Sequence, residues 1–100
     1  MCGAPTGGAS TAGVDLHTQA VIQGAVVRDG SPVSGAYVRL LDASGEFTAE
    51  VPTSATGQFR FFAAPGRWTL RTLAPRTTPV DRAVVAQRGE VAEIEVALPA

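Results

Sequence analysis

The stretch Gln58-Phe59-Arg60-Phe61-Phe62-Ala63-Ala64-Pro65-Gly66-Arg67-Trp68-Thr69-Leu70-Arg71-Thr72-Leu73 decides the fold class. In an extended chain successive side chains point to opposite sides, so Phe59 and Phe61 share one face and Arg60 and Phe62 the other. Ala64-Pro65-Gly66 is a turn signal. Beyond it Trp68, Leu70 and Thr72 alternate with Arg67, Thr69 and Arg71. Two period-two runs joined by a tight turn predict strands with one dry and one wet face.

The same texture extends outward in both directions. Upstream, Val21–Arg28 is an alternating run closed by Asp29-Gly30, a pair that supplies the positive φ of a tight hairpin turn. Ser31–Gly35 reads as a bend outside the sheet, because Pro32 cannot donate to a ladder. Ala36–Leu41 places Ala36, Val38 and Leu40 inward and Tyr37 and Arg39 outward, and Asp42–Gly45 turns the chain into Phe47–Val51, which Pro52 ends. Thr56-Gly57 turns again into the deciding stretch. Downstream, residues 74–82 contain Pro75 and Pro79 and read as the longest loop. Two last strands follow, Ala83–Gln87 and Val91–Leu98, joined by Arg88-Gly89-Glu90. About seven strands with a turn every eight to twelve residues, and no helical period, predict an all-β, seven-stranded antiparallel sandwich.

Residues 1–19 are rich in Gly, Ala, Ser and Thr and predict a flexible N-terminal tail, with Val14 and Leu16 pinned near its end. Residues 20–100 are then the sandwich domain. Met1-Cys2-Gly3-Ala4-Pro5 has neither a charged nor an apolar leader segment, so a cytoplasmic location is expected by elimination.

Composition excludes several function classes. The 100 residues carry eight Lys+Arg against nine Asp+Glu, a net charge of -1 without a basic block, which predicts no nucleic-acid partner. No apolar run reaches the length of a membrane-spanning helix, so no membrane partner is expected. All the basic residues are Arg: the absence of Lys excludes Schiff-base and phosphate-loop chemistry. One Cys and one His exclude an internal disulfide and a single-chain tetrahedral zinc site; no metal and no cofactor are expected.

Gly24-x-Val26, Asp29-Gly30, Pro32-Val33-x-Gly35-Ala36-x-Val38-x-Leu40, Thr56-x-Gln58-Phe59-x-Phe61 and Ala64-Pro65-Gly66-x-Trp68-x-Leu70 together resemble the carboxypeptidase-regulatory-like domain. The resemblance implies a prealbumin-like sandwich used as an accessory module, and it is nearly silent on activity. Over almost the whole chain a second resemblance exists. Met1-Cys2-Gly3, Val38–Asp42, Gly45–Val51 and Ser54–Ala64 look like a small bacterial family labelled putative sulfur-metabolism proteins (SseC-like). That likeness implies a link to sulfur handling beside a thiosulfate sulfurtransferase. Other relatives of the sandwich plan fail on residues: without Lys the pilin-type isopeptide cross-link cannot form, and one His is too few for a transthyretin-like hydroxyisourate hydrolase.

Few side chains stand out as functional. Tyr37 and Phe62 are aromatics on outward parity beside Arg60, the composition of a contact surface. These three residues are the expected partner surface of a non-catalytic interaction module, whose partner is a sulfurtransferase or a second copy. Cys2 is the one soft nucleophile, and the alternative is a small sulfur carrier with Cys2 as the persulfide site. His17 reads as a solvated side chain, and no pair of groups with matched acid–base roles is visible, so no catalytic residue is expected. Trp68 reads as core with Phe59 and Phe61. Arg39, Arg60 and Arg71 read as cross-strand partners of Glu50, Glu93 and Glu95.

Overall fold

A computed structural model describes residues 19–99 of the chain, and these form a sandwich of two four-stranded sheets. In chain order the strands are β1 (Ala20–Arg28), β2 (Ser31–Pro32), β3 (Tyr37–Leu41), β4 (Phe47–Pro52), β5 (Gln58–Ala63), β6 (Gly66–Leu73), β7 (Val80–Ala86) and β8 (Val91–Leu98). Sheet I is built on β1, with β8 along one edge and β5 followed by β2 along the other. Sheet II runs β4-β3-β6-β7. No helix occurs among the described residues, and so none long and apolar enough to cross a membrane.

The period-two reading explains what the two sheets bury. Ile22 and Val26 of β1, Phe59 and Phe61 of β5 and Val96 and Leu98 of β8 point at Val38, Leu40, Leu70, Val84 and Ala86 of sheet II. The Phe59 and Phe61 rings lie 6.3 Å apart with a tilt of 52°, within the range aromatic pairs prefer. Thr53 closes the end of this core where β4 leaves the sheet. Its hydroxyl donates to the Val33 carbonyl (2.7 Å) and accepts from the Ala36 amide (3.0 Å), pinning the 33–36 bend.

Several expectations need correction. The sheets are not wholly antiparallel: β8 lies parallel to β1 along its full length. Strand alternation records which face is dry but carries nothing about the direction of a neighbour, and β8 reaches β1 by leaving β7 of the opposite sheet. Pro32 does sit in a ladder, opposite Val27 in the two-residue strand β2. The Arg28–Ser31 pair closes the Asp29-Gly30 hairpin and the Val33 amide bonds Val26 O (2.9 Å). Pro32 therefore occupies the intervening pair, where an N–H would point away from the partner strand and none is missed. The loop after β6 is shorter than 74–82: β7 starts at Val80, directly after Pro79, and pairs Val80–Arg82 with Leu70–Thr72.

Two side-chain assignments also change. Trp68 shares the inward parity of Leu70 but is only half-buried at the sandwich rim, where Nε1 donates to the Ala64 carbonyl at 2.9 Å. Arg71 pairs with Asp81, not with a glutamate, because the start of β7 at Val80 brings Asp81 into register with it.

Candidate functional site

The outer face of sheet I is ordered in rows that cross its strands. Parity puts Val21, Gln23 and Ala25 of β1 outward. The register places Phe62, Arg60 and Gln58 of β5 on one side of them and Val91, Glu93 and Glu95 of β8 on the other. The first row, Phe62–Val21–Val91, is apolar. The second, Arg60–Gln23–Glu93, is a relay: Arg60 Nε donates to Gln23 Oε1 at 3.0 Å, and Gln23 Nε2 donates to Glu93 Oε2. The third, Gln58–Ala25–Glu95, has a small residue at its centre. The middle of the face is therefore low and its flanks are high.

This relief forms an open groove of about 860 Å³. Its floor is Gln23, Gly24 and Ala25. Phe62 and Arg60 wall it on the β5 side and Glu93 and Glu95 on the β8 side, and the Val51–Ser54 corner forms its rim. The opposed signs of Arg60 and Glu93, fixed by one shared glutamine amide, give the groove a positive and a negative flank. The outer edge of β5 pairs with no strand among the described residues, so its backbone groups border the groove.

Gly24 shapes the floor. A Cβ at this position would stand 1.6 Å from the backbone oxygen of Ile94, so the close approach of β1 to β8 here admits only glycine.

The expected partner surface is split by the fold. Arg60 and Phe62 come together on sheet I, with Phe62 46% exposed. Tyr37, 50% exposed, projects from the outer face of sheet II, where its cross-strand neighbours are Pro52 and Leu73. Alternation along one strand could not tell which of two sheets that strand joins. Cys2 and His17, like the tail 1–18, lie outside the described residues. Gln23 was missed: a lone glutamine in an apolar run carries no motif, and its role emerges only from the register between β5 and β8.

Sheet II carries its own transverse row, Glu50–Arg39–Arg71–Asp81. Arg39 bonds Glu50 at 3.1 Å and lies over the Phe47 ring at 5.9 Å. Arg71 forks onto Asp81 at 2.9 and 3.0 Å. The hydrogen bonds from Arg71 hold the Asp81 carboxyl below its ordinary range. Solvated pairs of this kind contribute little, about 0.2–1 kcal/mol each. Among the described residues no group of three His, Cys, Asp or Glu is placed to hold a metal ion.

Known proteins match the chain at two levels. Over residues 2–98 it matches the profile of a family described as a protein of unknown function, DUF1416. An uncharacterized protein of Mycobacterium tuberculosis (strain ATCC 25618 / H37Rv) is 62% identical over 76 residues, 74% of this chain and 76% of the relative. An uncharacterized protein of Mycolicibacterium smegmatis is 66% identical over 64 residues, 63% of this chain and 71% of the relative. Among solved structures, the minor pilin of Streptococcus agalactiae superposes with a TM-score of 0.70 at 13% identity, over 82% of this chain and 44% of the pilin. The TIE protein of Bacillus anthracis gives 0.72 at 18%, over 82% of this chain and 17% of that protein. Catechol 1,2-dioxygenase from Pseudomonas arvilla gives 0.65 at 12%, over 88% of this chain and 54% of the enzyme. The chain thus spans about half or less of each of these structures, and at such identities the likeness is one of fold alone.

Proposed function

The chain belongs to that family of unknown function, and we propose that it is a non-catalytic binding module that takes an extended segment of a partner protein into the groove on sheet I. The observation that carries this reading is the groove itself. Its walls are the exposed ring of Phe62 with Arg60 on one side and Glu93 with Glu95 on the other, beside the unpaired edge of β5. An extended segment can satisfy that edge with main-chain hydrogen bonds while its side chains choose between an aromatic, a cationic and an anionic contact. The likeness of residues 20–73 to carboxypeptidase-regulatory-like modules supports an accessory role.

For the partner, the sulfur-metabolism resemblance suggests a thiosulfate sulfurtransferase. The names of the relatives do not mention sulfur, so this partner rests on the resemblance alone. The test is calorimetric titration of the full chain with that enzyme, using Phe62→Ala, Arg60→Ala and Tyr37→Ala. Binding that is lost in the first two and kept in the third supports the groove. Binding unchanged in all three removes the sheet I face as the contact surface.

A further inference from the structure

Edge strands of a sandwich present unpaired backbone groups, and proteins usually blunt them. In sheet II the β4 edge is broken by the register shift opposite Leu40 and Leu41 and ends at Pro52. In sheet I the β8 edge is covered in part by Arg82, whose Nη1 donates to the Glu95 carbonyl at 2.9 Å. The β7 edge carries no proline and no bulge, and both of its charges are turned to other tasks. Asp81 is held by Arg71, and Arg82 reaches across to β8. What the edge shows outward is Ala83 and Val85, both exposed, Val85 to 56%.

Antiparallel strands alternate pairs that exchange backbone hydrogen bonds with pairs that do not. Thr53 N donates to Ala36 O at 2.8 Å, which sets the phase of that alternation for sheet II. Val38 then turns its backbone groups to β4, while Tyr37 and Arg39 turn theirs to β6. In β6, Thr72, Leu70 and Trp68 turn to β7, where they meet Val80, Arg82 and Val84. The N–H and C=O groups of Asp81, Ala83 and Val85 are left on the open edge.

We propose that this edge pairs with the same edge of a second copy, antiparallel and about a two-fold axis through Ala83. Because only alternate residues offer their backbone groups, the axis must pass through a residue and not between two. At Asp81 or Arg82 it would set two like charges opposite each other. Positions nearer either end run the pairing past the end of β7. Ala83 is the midpoint of Val80–Ala86, so an axis there overlays the whole strand. It pairs Asp81 with the second copy's Val85 and Ala83 with its own counterpart, and every open N–H and C=O on the edge finds a partner.

Charge adds to the fit. Arg67 is exposed and makes no hydrogen bond or ion pair among the described residues. It is the β6 neighbour of Val85. The row across the joint therefore reads Arg71, Asp81, then the second copy's Val85 and Arg67, with a cation from either chain flanking the carboxylate. Two-fold symmetry makes this contact twice. No β7 residue lines the sheet I groove, so the second copy leaves the Arg60 and Phe62 wall to a partner protein.

The experiment is sedimentation equilibrium of the full chain, with no partner added, up to millimolar concentration. The expected result is a mass that rises from 10.3 kDa toward twice that value. Val85→Glu sets a carboxylate opposite the second copy's Asp81 and is expected to weaken association about tenfold. Val85→Lys sets a cation there and retains it. Ala83→Pro removes an N–H that faces away from β6, so the chain keeps its circular dichroism spectrum while association is lost. A mass that stays at 10.3 kDa throughout overturns the proposal. So does association that survives in both Val85→Glu and Ala83→Pro, because a different surface then joins the copies. Equal losses in Val85→Glu and Val85→Lys overturn the axis through Ala83. None of these readouts involves the sulfurtransferase, so failure here and failure of the groove as a partner site are separate results.

Discussion

Gly24 of β1 lies so close to Ile94 of β8 that a Cβ on Gly24 would stand 1.6 Å from the Ile94 carbonyl oxygen and 2.7 Å from its carbonyl carbon. Both of these are backbone atoms of a strand that pairs with β1 along its full length, so neither can swing away as a side-chain tip could. Gly24→Ala therefore forces β1 and β8 apart and is expected to cost about 3 kcal/mol or more. Gly30→Ala provides the contrast. Nothing lies within 4 Å of a Cβ there, and only the positive φ of 77° resists it, at about 1 kcal/mol. Urea unfolding of both variants reads the difference; equal losses would mean that the approach of β8 to β1 is not tight.

Thr72 offers a stabilising substitution. It is completely buried in sheet II, and its hydroxyl has no hydrogen-bond partner among the described residues. A buried hydroxyl that bonds nothing loses its water without compensation. Thr72→Val keeps the shape and the β-branch, removes that cost, and is expected to stabilise by about 1 kcal/mol in urea unfolding. A loss of stability instead would show that the hydroxyl is bonded in solution.

The Arg71–Asp81 pair predicts a specific acid response. Hydrogen bonding from Arg71 lowers the Asp81 pKa below its ordinary 3.8, so the folded state binds this proton less readily than the unfolded chain. The stabilisation is present above the unfolded pKa and disappears as pH falls through the folded one. Arg71 itself is pushed upward by its hydrogen bonds to Asp81 and stays charged throughout. Asp81→Asn is expected to melt at a slightly lower temperature at neutral pH and to lose less on acidification. It does not become flat, because hydrogen bonds from the Ser44 side chain and the Glu46 backbone also lower Asp42. Melts at neutral and acid pH check this, and parallel acid limbs for the two proteins would remove Asp81 from the account.

The strands were legible because each buries one face, and alternation such as Phe59, Phe61 against Arg60, Phe62 records that directly. Turn residues carried the rest of the outline: Gly57 has φ 76°, and a Cβ there would approach the Val26 carbonyl oxygen to 2.7 Å. What stayed hidden depends on pairing. The parallel direction of β8, the partner of Arg71 and the split of Tyr37 from Phe62 are all set by which strands become neighbours. That choice is made by the global packing of two sheets, and no single run encodes it. Half of the candidate surface, Arg60 with Phe62, was visible because both lie on one strand.

Gln23 tests whether that register matters for binding. Arg60 and Glu93 project from strands on either side of β1, two strand spacings or about 9.5 Å apart at the backbone, with Gln23 between them. The Gln23 amide joins them by accepting from one and donating to the other. Gln23→Leu keeps a similar bulk and removes both polar ends. On an outward position its effect on stability should stay within about 1 kcal/mol. The Arg60 guanidinium, however, loses the acceptor that aims it along the groove wall, and Glu93 loses its donor. Affinity for the proposed sulfurtransferase partner is therefore expected to fall about tenfold, the scale of one charge-assisted hydrogen bond. Gln23→Glu keeps the acceptor for Arg60 but sets a carboxylate against Glu93, so it should retain the Arg60 contact while repelling the β8 flank. Calorimetry of the two variants alongside Arg60→Ala separates the contributions. If Gln23→Leu binds as tightly as the unaltered chain while Arg60→Ala does not, Arg60 reaches the partner without help from the relay.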